Sequence, residues 1–137
     1  MRLLARIFRV LTVLWAGSLW SLLWVAAALF QNLSDRHTAG LIAARLFSVE
    51  TYLGLGVAAL ALMLPGRSRF LPGFVAVAVL ALNEWILKAV MAQALTHGGT
   101  ATLSFGAWHG ISAGLYVLAC LCVAVMIYKD EYRHANS

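Results

Sequence analysis

Five ionisable side chains interrupt stretches that are otherwise apolar: Arg45, Glu50, Glu84, Lys88 and His109. A charge at the centre of a bilayer costs about 2.5–3.5 kcal/mol even on the lenient insertion scale. Such groups therefore pair with one another or mark a site for an ion, a proton or a polar solute. Glu84 precedes Lys88 by one helical turn, the order that brings opposite charges together on one helix face. Arg45 and Glu50 sit about 140° apart around a helix at 100° per residue, so each needs a partner on another helix. Glu50 with Lys88 and Arg45 with Glu84 are the crossed pairs this spacing suggests. Asn83 adds a neutral amide beside Glu84. Two readings of the group stay open: a neutral network that fixes helix register, or a polar pocket or ion path.

His109, Ser112 and Tyr116 follow three-and-four spacing and line one stripe of a single helix. Gly106, Gly110 and Gly114 form a second stripe, a tandem small-xxx-small pattern that lets another helix approach closely, within the bundle or in a dimer. His109 reads either as a hydrogen-bonded core residue or as a metal, haem or proton-relay group. Cys120 and Cys122 point about 200° apart on a helix, which suits a buried thiol pair better than a soft-metal site. His37 and His97 could join His109 at a metal, but no Cys-x-x-Cys or His-Glu-x-x-His spacing supports one. Gly54-Leu55-Gly56 lies inside a helical run without the strand that a dinucleotide fingerprint requires. No Ser-His-Asp arrangement follows from spacing. Nothing here assigns a catalytic residue, and no cofactor is expected, haem or copper at His109 being the alternative.

The elements that must hold these groups are dictated by composition. Hydrophobic residues make up 63% and charged residues 11% of the 137, and mean hydropathy is +0.87, whereas a soluble domain carries about 25% charged residues. The apolar residues fall into four runs, 10–30, 41–64, 74–95 and 105–128, each long enough for the roughly 20 residues that cross a hydrocarbon core. Backbone exposed to lipid must satisfy its own hydrogen bonds, which leaves helices or a closed barrel, and these runs are too long for barrel strands. The expected fold is all-α: a polytopic membrane four-helix bundle in one domain spanning residues 1–137. The separators 31–40, 65–73 and 96–104 are rich in Gly, Pro, Ser, Thr and Asn, as helix breaks should be, and Pro65-Gly66 and Pro72-Gly73 bracket the middle one. Such short connections make successive helices antiparallel neighbours.

Arg2, Arg6 and Arg9 precede the first run, Arg67 and Arg69 lie in the middle connection, and Lys129 and Arg133 follow the last. The positive-inside rule places those segments in the cytoplasm, N-in and C-in. Residues 96–104 carry no Lys or Arg, and Arg36 is opposed by Asp35, so those two connections face outward. The five ionisable groups then fall between mid-bilayer and the outer face. The net charge of +5 is explained by topology and by anionic headgroups, and gives no reason to propose nucleic acid as a partner. A cleaved signal peptide is the competitor for the first run, but the run exceeds the 7–15 residues typical of such a segment. Its removal would also break the charge rule, so it is expected to be retained.

Three stretches resemble one family: Asp35 to Phe47, the Asn83 region, and Phe105-Gly106-Ala107-Trp108-His109-Gly110-Ile111-Ser112. Together they look like the transmembrane-protein-205-like family, whose bacterial members are grouped as a domain of unknown function. Family members often carry proline after the Leu-Phe pair and another in the third helix, where this chain has Ser48 and Ala89. The resemblance implies a four-helix protein of the bacterial cytoplasmic (inner) membrane and supplies no reaction. The expectation is a non-enzymatic membrane protein that binds or helps move a small polar solute or ion through Arg45, Glu50, Asn83, Glu84, Lys88, His109, Ser112 and Tyr116. Its partners would be the lipid bilayer, further copies of itself or a larger membrane complex. A haem- or copper-associated redox or assembly factor and a structural accessory subunit are the alternatives.

Overall fold

A long apolar run tends to stay helical past the lipid boundary, because nothing in a helix requires it to stop where hydrocarbon ends. The computed structural model, which describes residues 2–64, 70–96 and 103–135, shows this at both termini. Helix α1 covers Arg2–Asn32, α2 Arg36–Leu62, α3 Leu71–Leu82, α4 Lys88–Thr96 and α5 Phe105–Ala135. A five-residue π turn, Asn83–Leu87, joins α3 to α4 without a break, so α3, the turn and α4 form one continuous third span. The expected all-α, four-helix membrane architecture is borne out: among the described residues four helical stretches are long and apolar enough to cross a membrane, Arg6–Asn32, Thr38–Leu62, Leu71–Ala94 and Ala107–Lys129.

The expected boundaries need correction at several points. Helix α1 begins eight residues before the apolar run and α5 runs seven beyond it, because hydropathy measures the span and not the helix. The first connection shrinks to Leu33–Asp35, and α2 starts at Arg36. There the Asp35 carbonyl accepts the first helical bond, from the Ala39 amide at 3.1 Å, and its carboxylate accepts from the Thr38 hydroxyl. Pro72-Gly73, expected in a loop, lies in the first turn of α3. Proline is tolerated there because its missing N–H would have had no helical partner. Pro65-Gly66, Arg67 and Arg69 lie outside the described residues.

The helices are arranged as a ring in which α1 packs chiefly on α2 and α3 on α5, with α2 against α3 and α1 against α5 completing the circuit. The core is a narrow column of Trp15, Leu19, Val57, Ala61, Phe70, Ala76, Leu80, Tyr116, Cys120 and Val123. Around it the surface is apolar: Trp24 is 77%, Met63 75% and Leu71 63% exposed, values that only a lipid surrounding accommodates. The lipid bilayer is thus a partner of this multi-pass chain.

Between lipid and protein there is little hydrophobic gain to draw helices together, so contact depends on backbones that approach closely and on side chains that fit. Two glycines provide the approach. A Cβ added at Gly54 would lie 2.7 Å from the Trp15 ring, and one at Gly73 would lie 2.6 Å from the Phe70 ring and 2.8 Å from the Met126 sulfur. Phe70 in turn meets Phe8 edge-on at 5.5 Å and Phe74 at 4.9 Å between ring centroids. The helix-packing role expected of the stripe on α5 is not seen inside this chain. Gly110 and Gly114 are exposed and a Cβ at either would meet nothing within 4 Å, because that side of α5 faces away from the other helices. The surroundings of Gly106 lie outside the described residues.

These contacts set up a pair of substitutions. Gly54→Leu forces a side chain into the Trp15 ring, and overpacking of this kind costs about 1–3 kcal/mol. It should lower the melting temperature in detergent clearly, whereas Gly110→Leu should leave the monomer's melting temperature unchanged. Equal effects of the two on the melting curve would contradict the packing described.

Candidate functional site

The π turn is the natural starting point, since π turns inside α-helices occur frequently at functional sites. Its defining bond runs from the Lys88 amide to the Asn83 carbonyl, while the Asn83 amide is shared between the carbonyls of Leu80 and Val79. The residues at its two ends, Asn83 with Glu84 and then Lys88, carry the polar side chains of the third span.

Glu84 and Lys88 pair as expected, Nζ to Oε1 at 2.9 Å. A third group closes the unit. The Ser48 hydroxyl of α2 donates to the same Glu84 oxygen at 2.8 Å, and Lys88 Nζ donates to the Ser48 oxygen at 2.9 Å. Ammonium, carboxylate and hydroxyl therefore form a triangle that ties the third span to α2. The Ala44 carbonyl, 2.9 Å from the same hydroxyl, is an alternative acceptor for its proton. Glu84 is mostly enclosed, with 13% of its side chain exposed, while Lys88 is 43% exposed. The network is thus anchored inside and presents its cation outward.

On the other side of the third span, the Ser112 hydroxyl donates to Asn83 Oδ1 at 2.7 Å, and Asn83 Nδ2 reaches the Ser112 carbonyl at 3.4 Å. This reciprocal pair ties the third span to α5. Consecutive residues point about 100° apart on a helix, which is how Asn83 and Glu84 reach different neighbours.

The crossed pairs do not form. Ser48 and Glu50 are two residues apart, about 200° around α2, so when Ser48 turns to the third span Glu50 turns to α1. There Glu50 is buried and accepts from the Ser18 hydroxyl at 3.1 Å. Arg45 is exposed and, among the described residues, makes no ion pair with Glu84 or Glu50. It lies near the Thr38 end of its span, where a long cationic side chain reaches the headgroup region by snorkelling. The stripe on α5 is also divided. Ser112 meets Asn83; the buried Tyr116 donates to the Leu19 carbonyl of α1 at 3.1 Å and stacks at a tilt on Phe47, 4.6 Å between centroids; His109 is exposed.

No three His, Cys, Asp or Glu side chains converge as metal ligands among the described residues. Cys120 is buried and Cys122 partly buried, both as free thiols. His97 and the side chain of His37 lie outside the described residues. Ser48 and Ser18 are the site residues that the sequence reading missed. Both are hydroxyls inside apolar runs, and small polar residues at such positions are a recognised means of joining membrane helices.

Residues 10–100 match a family described as a domain of unknown function (DUF4149), which covers all of this site except its α5 residues, and the chain belongs to that family. Neither the curated proteins nor the solved structures include a match.

Ser48→Ala removes one corner of the triangle. It should cost about 0.6 kcal/mol, and at most about 1.7, the range seen for hydrogen bonds between membrane helices. Glu84→Gln leaves the Lys88 ammonium without its counter-charge, so it should destabilise more than the double change Glu84→Gln with Lys88→Met. A double-mutant cycle of thermal stability in detergent measures this coupling; strictly additive losses would contradict the pairing.

Proposed function

We propose that this member of the DUF4149 family binds a small dipolar or charged solute, or an ion, at the Ser48, Glu84 and Lys88 triangle and the adjoining Asn83–Ser112 pair, and helps move it across the membrane. The observation that carries the reading is the Lys88 ammonium, held by Glu84 and Ser48 yet 43% exposed at the level of the span. A charge present only to fix register gains most from full enclosure between helices, whereas a charge that meets a ligand must be reachable. Ammonium, carboxylate, hydroxyl and amide together offer donors and acceptors to both ends of a dipolar molecule. The π turn beneath them is the kind of local departure from α geometry that binding sites retain.

The distribution of Arg and Lys supports both termini lying in the cytoplasm, in a bacterial inner membrane as the likeness to the transmembrane-protein-205-like family implies. That likeness adds no reaction. In this orientation the network sits between mid-bilayer and the outer face. Four helices leave little room for a private channel, and the exposed Gly110 and Gly114 support assembly with further copies, since small residues let backbones meet. Arg45 and His109, exposed on neighbouring helices, would belong to the approach rather than to the binding unit.

The test is flux into proteoliposomes containing the whole chain, measured across a panel of monovalent ions and small zwitterions. The wild type should move at least one of them. The double variant Glu84→Gln with Lys88→Met should melt close to the wild type and lose that flux by about tenfold or more, the scale of one lost charge-assisted contact of about 1.4 kcal/mol or more. Undiminished flux in a stable double variant would overturn the assignment and leave the network a purely structural brace.

A further inference from the structure

The second intramembrane carboxyl, Glu50, stands apart from the network and has different surroundings. It lies midway along the Thr38–Leu62 span and is 4% exposed. Its partner on α1 is the Ser18 hydroxyl at 3.1 Å, whose one proton has the Trp15 carbonyl at 2.8 Å as an alternative acceptor, and among the described residues no Lys, Arg or His pairs with it. On α5, Tyr116 and Cys120 lie within electrostatic range of it, and the Tyr116 hydroxyl already donates to the Leu19 carbonyl. On α2 itself the neighbouring Thr51 hydroxyl is turned back to the Phe47 carbonyl. The charged groups of the third span, Glu84 and Lys88, satisfy each other on the opposite side of α2. A further polar group in this layer is without a partner: the Trp15 indole N–H, one turn along α1 from Ser18, is buried and has no acceptor.

A lone carboxylate in the middle of a bilayer is costly, and two things remove its charge there, a bound metal cation or a proton. A sodium-like cation needs several oxygen ligands around it. Among the described residues the side-chain oxygen within hydrogen-bond distance of the Glu50 carboxyl is Ser18 Oγ, and one hydroxyl does not complete such a shell. These surroundings suit a carboxyl that carries its own proton. We propose that Glu50 is a membrane-embedded proton-binding site, taking up and releasing a proton as a carboxylic acid at the centre of the bundle. It is independent of the Glu84–Lys88 solute site and adds a proton to what this chain handles.

The experiment is labelling of the intact protein in liposomes with dicyclohexylcarbodiimide, an apolar reagent that enters the bilayer and reacts with carboxyl groups in the acid form. The carboxyl proton moves to one carbodiimide nitrogen as the carboxyl oxygen bonds to the central carbon. The O-acylisourea formed then rearranges to a stable N-acylurea, and no group leaves. Peptide mass spectrometry should find one added reagent on the peptide carrying Glu50, with labelling that declines as the bath pH rises and is indifferent to sodium at fixed pH. Glu50→Gln should remove the adduct. Glu84, whose Oε1 is engaged by Lys88 and Ser48, should label less than Glu50 in the wild type and more in Lys88→Met, which shows that the reagent reaches that depth. Absence of the Glu50 adduct, labelling insensitive to pH, or protection by sodium would each overturn the proposal. None of these outcomes bears on the flux assay, in which Glu84 and Lys88 are the residues changed.

Discussion

A hydrocarbon interior offers no water to a polar group, and most polar side chains described within the spans are placed according to that constraint. Thr12, Thr51 and Ser21 return their hydroxyls to carbonyls one turn back in their own helices, which satisfies them without reference to the fold. Other groups are satisfied between helices, and those bonds define the bundle: Ser18 with Glu50 joins α1 to α2, Ser48 with Glu84 and Lys88 joins α2 to the third span, Asn83 with Ser112 joins the third span to α5, and Tyr116 with the Leu19 carbonyl joins α5 back to α1. Four adjacent pairs in the ring thus carry one polar tie each. Apolar packing alone discriminates poorly among rotations of a helix whose neighbours and lipid are equally apolar; polar ties fix the rotation.

Packing then determines how near the helices come. Trp15 of α1 seated on Gly54 of α2, and Met126 of α5 on Gly73 of α3, bring backbones together without polar help. The Trp15 site shows the cost of combining the two requirements, because the ring that fits the Gly54 notch leaves its N–H without an acceptor. Burial of an unsatisfied donor costs about 1–3 kcal/mol, so this is a position where close packing has outweighed hydrogen bonding. The neighbouring carboxyl of Glu50 has the Ser18 hydroxyl beside it and, among the described residues, no counter-charge, whereas Glu84 has Lys88.

Much of the architecture was legible in the sequence because the length and composition of an apolar run depend on the bilayer and hardly on neighbours. The four spans, the antiparallel order and the Glu84–Lys88 pair follow from spacing along one chain. Which face of each helix turns inward does not. The crossed pairs failed because Ser48 and Glu50 diverge around α2, a rotation that is set by contacts with α1 and the third span. The glycine stripe on α5 was read from its pattern as a packing surface within the bundle or in a dimer, whereas the glycines in contact inside this chain, Gly54 and Gly73, depend for their significance on the large side chains against them. The π turn leaves no periodic trace, and Ser18 and Ser48 appear in sequence only as single polar residues within apolar runs. The membership of residues 10–100 in a family without assigned function leaves the site chemistry to be argued from these contacts.

The tie between α2 and the third span depends most directly on the Lys88 ammonium lying against the Glu84 carboxylate within the membrane rather than extending to the headgroups. Solid-state NMR on the protein in lipid bilayers, with nitrogen-15 in the lysine side chains and carbon-13 in the glutamate carboxyls, measures that separation by dipolar recoupling. The 2.9 Å contact predicts strong recoupling that vanishes in Lys88→Met and weakens when Ser48→Ala loosens the triangle. A wild-type protein that shows no recoupling assigned to Lys88, with its ammonium in contact with lipid phosphate instead, would contradict the network on which the proposed site rests.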